Sequence, residues 1–510
     1  MPKFYLTTAI DYVNSIPHIG TAYEKIGADV LVRYRRLKGD EVRFQMGNDE
    51  HSANVQKAAI AQGLSPKVYC DGMREKFTQI WSKLRISYDD FIQTSEPRHH
   101  AASKKFFQVV FEKGDIYEGE YEGWYCESCE AYQTEKDLVE GLCPNHKTKP
   151  RWLVEKNYFF KLSKYREALI AHIEKNPKFI LPDIRRNEIL SLLQKEGLQD
   201  ISISRSTFDW GIPVPANPKH VLYVWFDALL NYITAVGYGQ DEAKFRQWWP
   251  AQLHIVGKDI TRFHCVIWPA MLMSAGLELP QHVFGHGFVY LKGEKMSKSL
   301  GNVVTPLDIV EKFDADVLRY YLMRSSSFGS DGNFSWEDFI TRYNSDLAND
   351  IGNLLSRTLG MAKKYFEGKI EAGQRAEEEN WLLQTFENSK KKYHESLDYL
   401  NGDLEFHQAL SAIWELMSAC DKYIDVSAPW TLKKNNQDDR LKEVLFNLVN
   451  ALRIIGLWIS PFMPETSRKI YQQLNLPLPQ VFQQNEDWSA FRGPHQLGES
   501  FQLFPRFENK

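Results

Sequence analysis

The chain has 510 residues, 62 of them Lys or Arg and 66 Asp or Glu, for a net charge of −4 at pH 7. At about 150 residues per domain this length accommodates three or four domains and excludes a lone small binding module. With 43% hydrophobic and 25% charged residues, the chain should fold throughout, and its near-balanced charge means that any contact with a polyanion must come from local patches.

The N-terminus, MPKFYLTTAIDYVNS, has no basic stretch leading into a long apolar one, and no run of 18 apolar residues occurs. A cytoplasmic chain without membrane contact is expected. Phe4 to Ile10 is rich in β-formers; Ala22, Ile26, Val30, Tyr34 and Leu37 then recur at helical spacing until Gly39 stops the run. A second strand is expected from Glu41 to Met46. Strand, helix, strand in so short a span is the βαβ unit of a parallel, doubly wound sheet, whose ligands sit at the carboxyl ends of the strands. The segments IPHIG (16–20) and GNDEH (47–51) fall at those ends.

From about Tyr117 to Trp152 short Gly- and Cys-containing segments replace the βα pattern, which predicts an insertion. Three of the six cysteines lie here, as Cys126-x2-Cys129, thirteen residues, then Cys143-x2-His146. Paired soft donors at two-residue spacing suit a closed, tetrahedral, structural zinc knuckle rather than a disulfide framework. Sheet-like signals return in HVLYVWFDALL (220–230), QLHIVGKDI (252–260) and HVFGHGFVYL (282–291), so the sheet is expected to be completed after the insertion. Beyond about Ser345 the pattern is helical: Leu347, Ile351, Leu354 and Leu355 share one sector of a wheel, with Asn353 and Arg357 on a stripe outside it. An α-helical bundle should close the chain.

Two motifs carry chemistry. KMSKS, Lys295 to Ser299, sets two cations three residues apart on a Gly-flanked loop, suited to neutralising a polyphosphate as the loop closes. Pro17, His18, Ile19 and Gly20 lie at the first strand-to-helix junction, where a helix N-terminus would face phosphate. Together they resemble the two signature motifs of class I aminoacyl-tRNA synthetases. The first departs from the family's HIGH in having Thr21 as its last residue; its hydroxyl should keep the phosphate site with that contact altered.

TTAIDYVNSIPHIG, GNDEH, CESC, YVWFDALLNY, GKDITRFH, HGFVYLKGEKMSKS, NLLSR and APW resemble the methionyl-tRNA synthetase family, from the first strand into the bundle. The resemblance implies a Rossmann-like catalytic domain in two halves, 1–116 and 220–290, split by a connective insertion with the zinc knuckle at 117–219. It further implies a KMSKS-loop and stem-contact region at 291–345 and an α-helical anticodon-binding domain at 346–510. Methionine would sit among Ile10, Tyr12, Trp225, Tyr232 and His264, with Asp49 accepting its ammonium; an aromatic-lined slot independently suits a polarizable thioether. His18, Gly20 and Thr21 would face the ATP phosphates, Gly257 and Asp259 the ribose, and the backbone around Phe288 the adenine. Lys295 and Lys298 would hold the departing pyrophosphate. Asn353, Arg357 and Trp430 would read the CAU anticodon.

The implied activity is methionine-tRNA ligation for translation initiation and elongation, with ATP accompanied by Mg2+, L-methionine and tRNA(Met) as partners and one structural Zn2+. The family's branched-aliphatic cousins carry a large editing insertion that the stretch between Ile116 and His220 cannot hold beside a knuckle. In a cysteine enzyme a catalytic-site zinc would select the thiol, whereas these four ligands already close the metal. Retention of both Lys295 and Lys298 argues against a catalytically dead tRNA-binding homologue. The end of the sequence, FPRFENK, carries no recognisable appended domain, and a monomer is expected.

Overall fold

A computed structural model describes residues 1–508 apart from 127–130, 134, 136–137, 145–146, 292, 296–302 and 402–403. Its centre is a strand, Lys3–Thr8, buried at every position after the first. Such an apolar run has to be covered on both faces and paired on both edges, as only a central strand of a parallel sheet is. Glu41–Asp49 pairs along one edge, with Leu6 opposite Phe44, and Leu253–Gly257 along the other, with Leu6 opposite Leu253. Asp11–Tyr12 and Asp90–Gln93 join Glu41–Asp49, while Val283–His286 and then Ile180–Leu181 extend the far side, giving seven strands with every pairing parallel. The sheet therefore runs outward in both directions from Lys3–Thr8. The crevice at the carboxyl ends of that strand and of Leu253–Gly257 is the switch point where ligands bind in such sheets.

The first helix, Ile19–Leu37, covers the sheet with Ala22, Ile26, Val30 and Leu37 buried. The insertion opens as a long antiparallel ribbon in which Ile116–Cys126 pairs with Arg151–Phe160, from Ile116 opposite Phe160 to Tyr125 opposite Arg151. Two features depart from the sequence reading. Ile180–Leu181, inside the expected insertion, is a strand of the parallel sheet, paired with Val283 and Phe284. The expected strand over 220–230 stops at Leu222, in a small antiparallel sheet of its own, and Val224–Ala228 is helical. A short, mostly apolar run does not distinguish a buried strand from a buried helix, and here tertiary packing decided for the helix.

The chain closes in an α-helical region. Tyr343–Ile351, wound with the wider π spacing, runs directly into Gly352–Phe366, followed by Glu378–Ser396, Phe406–Ser427, Asp438–Ile459 and Pro464–Leu474. Leu347, Ile351, Leu354 and Leu355 are buried, as are Leu445, Leu448, Val449 and Leu452, so the apolar stripes do form the core. Arg319, wholly buried, joins this region to the first helix: its guanidinium donates to the carbonyls of Leu84, Pro461 and Phe462 and lies 2.8 Å from Asp29 of that helix. Among the described residues no helix is long and apolar enough to cross a membrane.

Candidate active site

His18 caps the first helix. Its backbone is extended and its Nδ1 accepts the Thr21 N–H at 3.2 Å, so in the neutral ring the proton sits on Nε2. Because the first turn contains no acidic residue, the helix dipole favours an anion there. One residue on, the Ile19 N–H donates to the Val304 carbonyl at 3.0 Å. Val304 follows the second motif closely, so one backbone bond ties the two signature segments together. Ahead of that motif, Val289–Leu291 pairs with Glu294–Lys295 through a turn at Gly293, whose φ of 80° suits glycine, and with Gly332–Phe334 on its other side. The Lys295 backbone thus belongs to a small sheet; Lys298 lies outside the described residues.

Gly257 ends its strand opposite His286. A Cβ there would stand 2.7 Å from Asp259 Oδ1, so glycine lets the Asp259 side chain fold back over the strand end, where it remains exposed. Beside it Lys258 pairs with Asp331 at 2.7 Å and lies 4.7 Å over the Phe288 ring. The Phe288 N–H donates to Asp331 Oδ1 and its carbonyl accepts from the Gly332 N–H. The Phe288 backbone is therefore engaged within the protein.

The expected methionine residues come from five elements, with Ile10 just ahead of the first of them. Tyr12 is paired with Asp49 across the sheet; Asp49 is buried, Tyr12 is exposed and Ile10 is half-buried. Trp225 stacks on Phe263 with ring centres 3.6 Å apart and planes 11° from parallel. Tyr232, buried, donates its hydroxyl to His264 Nε2 at 2.7 Å, and its own carbonyl accepts from the Tyr5 hydroxyl. His264 Nδ1 donates to the Ile260 carbonyl at 2.9 Å. Burial holds the His264 ring down to about 4, so it is a neutral acceptor at physiological pH.

Sequence reasoning missed the ionic network beneath these residues. Lys25, buried on the first helix, donates to the Ala9 carbonyl at 2.6 Å and to Glu24 at 2.7 Å, and lies 3.3 Å from Asp11. Glu24 in turn bonds His286 Nε2 at 3.0 Å. Burial, only partly countered by Lys25, raises the Asp11 carboxyl to about 7. The network fastens the loop that carries Ile10 and Tyr12 to the helix that carries His18. Its signal was two charged residues, Glu24 and Lys25, between the apolar positions Ala22 and Ile26. Arg205 was also missed: it is buried, with its guanidinium 4.1 Å over the Tyr223 ring.

Of the four expected metal ligands, Cys129 and His146 lie outside the described residues. Cys126 and Cys143 are buried and converge on Thr148: Cys126 Sγ is 3.7 Å from its hydroxyl, and the Cys143 N–H donates to its carbonyl at 2.9 Å. The Lys147 N–H donates to the Cys143 carbonyl at 2.8 Å. Two buried cysteines hydrogen-bonded to one residue are compatible with half of a soft-donor site. Among the described residues no group of three His, Cys, Asp or Glu could hold a metal.

In the helical region Asn353 is exposed, and Arg357 lies 3.5 Å from Asp421 and 3.9 Å from Asp425. Trp430, 51% exposed, is the second residue of the helix Pro429–Lys434, which follows Ala428, whose backbone is left-handed. The expected stripe thus carries an ion-paired arginine rather than a purely solvated one.

A family model described as class I tRNA synthetases (M) matches residues 4–151 and 146–359, and one described as the anticodon-binding domain of tRNA ligase matches 379–500. Together with the parallel sheet and the two linked motifs, these define a class I aminoacyl-tRNA synthetase. The methionine–tRNA ligase of Caldanaerobacter subterraneus subsp. tengcongensis is 49% identical over 93% of this chain and 74% of its own, and that of Thermotoga maritima 44% over 100% and 81%. The structure of Mycobacterium tuberculosis methionyl-tRNA synthetase in complex with methionyl-adenylate superimposes with a TM-score of 0.93 at 41% identity, covering 99% of this chain and 100% of that one. The chain belongs to the methionyl-tRNA synthetase family, the methionine–tRNA ligases.

Proposed function

We propose that the ligase reaction is carried out at the junction of the His18 turn and the KMSKS segment. The observation that carries this reading is the hydrogen bond from the Ile19 N–H to the Val304 carbonyl, which supports a single phosphate site built from both motifs. In the first step the methionine carboxylate attacks the α-phosphorus of magnesium-bound ATP, the bond to the bridging oxygen breaks, and pyrophosphate leaves with methionyl-adenylate retained. In the second, the ribose hydroxyl at the 3′ end of tRNA(Met) attacks the acyl carbon and AMP departs. No protein nucleophile is required, because positioning and charge neutralisation account for the acceleration.

His18, Gly20 and Thr21 would hold the phosphates at the helix terminus, and Lys295 and Lys298 the departing pyrophosphate. Asp259 would accept the ribose hydroxyls, and Phe288 would border the adenine. Asp49 would take the methionine ammonium, with Ile10, Tyr12, Trp225, Tyr232 and His264 around the thioether. Asn353, Arg357 and Trp430 would read the anticodon. Zinc, held by Cys126, Cys129, Cys143 and His146, would contribute folding energy to the insertion rather than chemistry. The enzyme would act in the cytoplasm. The test is Lys298→Ala: adenylate formation should fall by orders of magnitude with methionine affinity nearly unchanged, since the contact belongs to the transition state. An unchanged rate would overturn the assignment.

A further inference from the structure

We propose that Asp227 is a positioning residue of the methionine site, clamped between His51 and His99 so that the end of the Glu41–Asp49 strand and the Trp225 helix keep one fixed spacing. The proposal rests on the assignment of Asp49 and Trp225 to methionine. His51 lies two residues beyond Asp49, and Asp227 two residues beyond Trp225. His51 Nδ1 lies 2.6 Å from Asp227 Oδ2 and His99 Nε2 lies 2.6 Å from Asp227 Oδ1, with all three side chains essentially inaccessible. The far side of the His99 ring lies 3.2 Å from the Thr234 hydroxyl, whose own hydrogen goes to the Leu230 carbonyl. One helix, Pro97–Glu112, therefore grips the segment 227–234 at both ends, and Tyr232 lies within that segment. The His51 ring is in turn packed edge-on against His100 and Trp210, at 5.2 and 5.3 Å.

Burial alone would raise the Asp227 carboxyl, but the His51 and His99 imidazoles override it and hold it well below the usual carboxylate range. Both carboxylate oxygens are taken by imidazole nitrogens, so Asp227 acts through its neighbours rather than on substrate. An amide cannot replace it, because a carboxylate accepts at both ends whereas an amide must donate at one.

The test uses the full-length enzyme in methionine-dependent pyrophosphate exchange, varying methionine and ATP separately for Asp227→Asn, His51→Gln, the two combined, and Asp49→Asn. Asp227→Asn and His51→Gln should each raise the KM for methionine about tenfold or more while the KM for ATP stays within about twofold. The double variant should be no worse than the worse single, because both remove one clamp. Should Asp227→Asn fail to fold, His51→Gln alone decides, and the same split is expected. Folded variants with an unchanged methionine KM, or with both KM values raised in proportion, would overturn the proposal. If Asp49→Asn also leaves the methionine KM unchanged, the methionine-site assignment itself falls; if only Asp49→Asn raises it, the clamp alone is refuted.

Discussion

The Tyr232 hydroxyl donates to one nitrogen of His264 at 2.7 Å while the other nitrogen donates to the Ile260 carbonyl at 2.9 Å. This fixes one neutral tautomer and turns the ring into an acceptor that keeps the Tyr232 phenol in place. Protonation of His264 would place a hydrogen against the phenolic one. Since burial holds the ring to about 4, the Tyr232–His264 hydrogen bond should persist from pH 8 to about 5 and be lost below that as the ring gains its proton. Stability follows the same group: its folded value lies below the unfolded value of about 6.5, so its contribution is complete above that pH and declines as pH falls toward the folded value. An imidazole NMR signal of His264 already titrating between pH 7 and 6 would contradict this arrangement.

The Arg319–Asp29 pair yields a stability prediction. Both side chains are fully buried, and Asp29 also accepts from Arg33 and from the Ser87 N–H and hydroxyl. Burial would raise this carboxyl, but Arg33 and Arg319 override it and bring it to about 2. Asp29→Ala strands a buried guanidinium and should cost roughly 3 to 5 kcal/mol, read as a lower denaturant midpoint. Because the folded value is depressed, the stabilisation is present above the ordinary carboxylate range and is lost as pH falls toward 2. An unchanged midpoint would mean that the pair contributes nothing net.

Removing Cys143 or His146 should release about one zinc per chain and destabilise the insertion, since a closed structural site contributes folding energy directly. Metal analysis of the purified protein and a melting curve of Cys143→Ala check this. Native protein free of zinc would refute the knuckle.

Trp430→Ala or Arg357→Ala should leave methionine-dependent pyrophosphate exchange near normal and lower aminoacylation sharply. Loss of stacking on an unpaired base removes roughly 1 to 3 kcal/mol of tRNA binding, which the first half-reaction does not use. Arg357 is held near Asp421 and Asp425, so its truncation also frees two carboxylates. Normal charging of tRNA by both variants would remove these residues from the anticodon site.

Much of this was legible in the sequence because it is local. The His18 turn needs only a strand, a cap and a helix in succession, and the apolar stripe Leu347, Ile351, Leu354 and Leu355 is set by helical period. What was not legible depends on partners far along the chain. Lys25 is buried because the Ala9 carbonyl, Asp11 and Glu24 surround its ammonium, and an isolated helical pattern would have placed it in solvent. Ile180–Leu181 is a strand of two residues, too short to carry any alternation, and only Val283 and Phe284 make it part of the sheet. The helix at Val224–Ala228 replaced an expected strand for a related reason: Asp227, inside an apolar run, is buried by two histidines that sequence does not bring near it.

The central claim, that this site activates methionine, is tested most directly by amino-acid-dependent exchange of pyrophosphate into ATP with methionine, cysteine, leucine, isoleucine and valine compared on one enzyme preparation. The stacked Trp225 and the Tyr232–His264 pair should admit an unbranched thioether and exclude β-branched chains by shape. Exchange should therefore be rapid with methionine and far slower with the other four. Equal or faster exchange with any of them, or no exchange with methionine, would contradict the account.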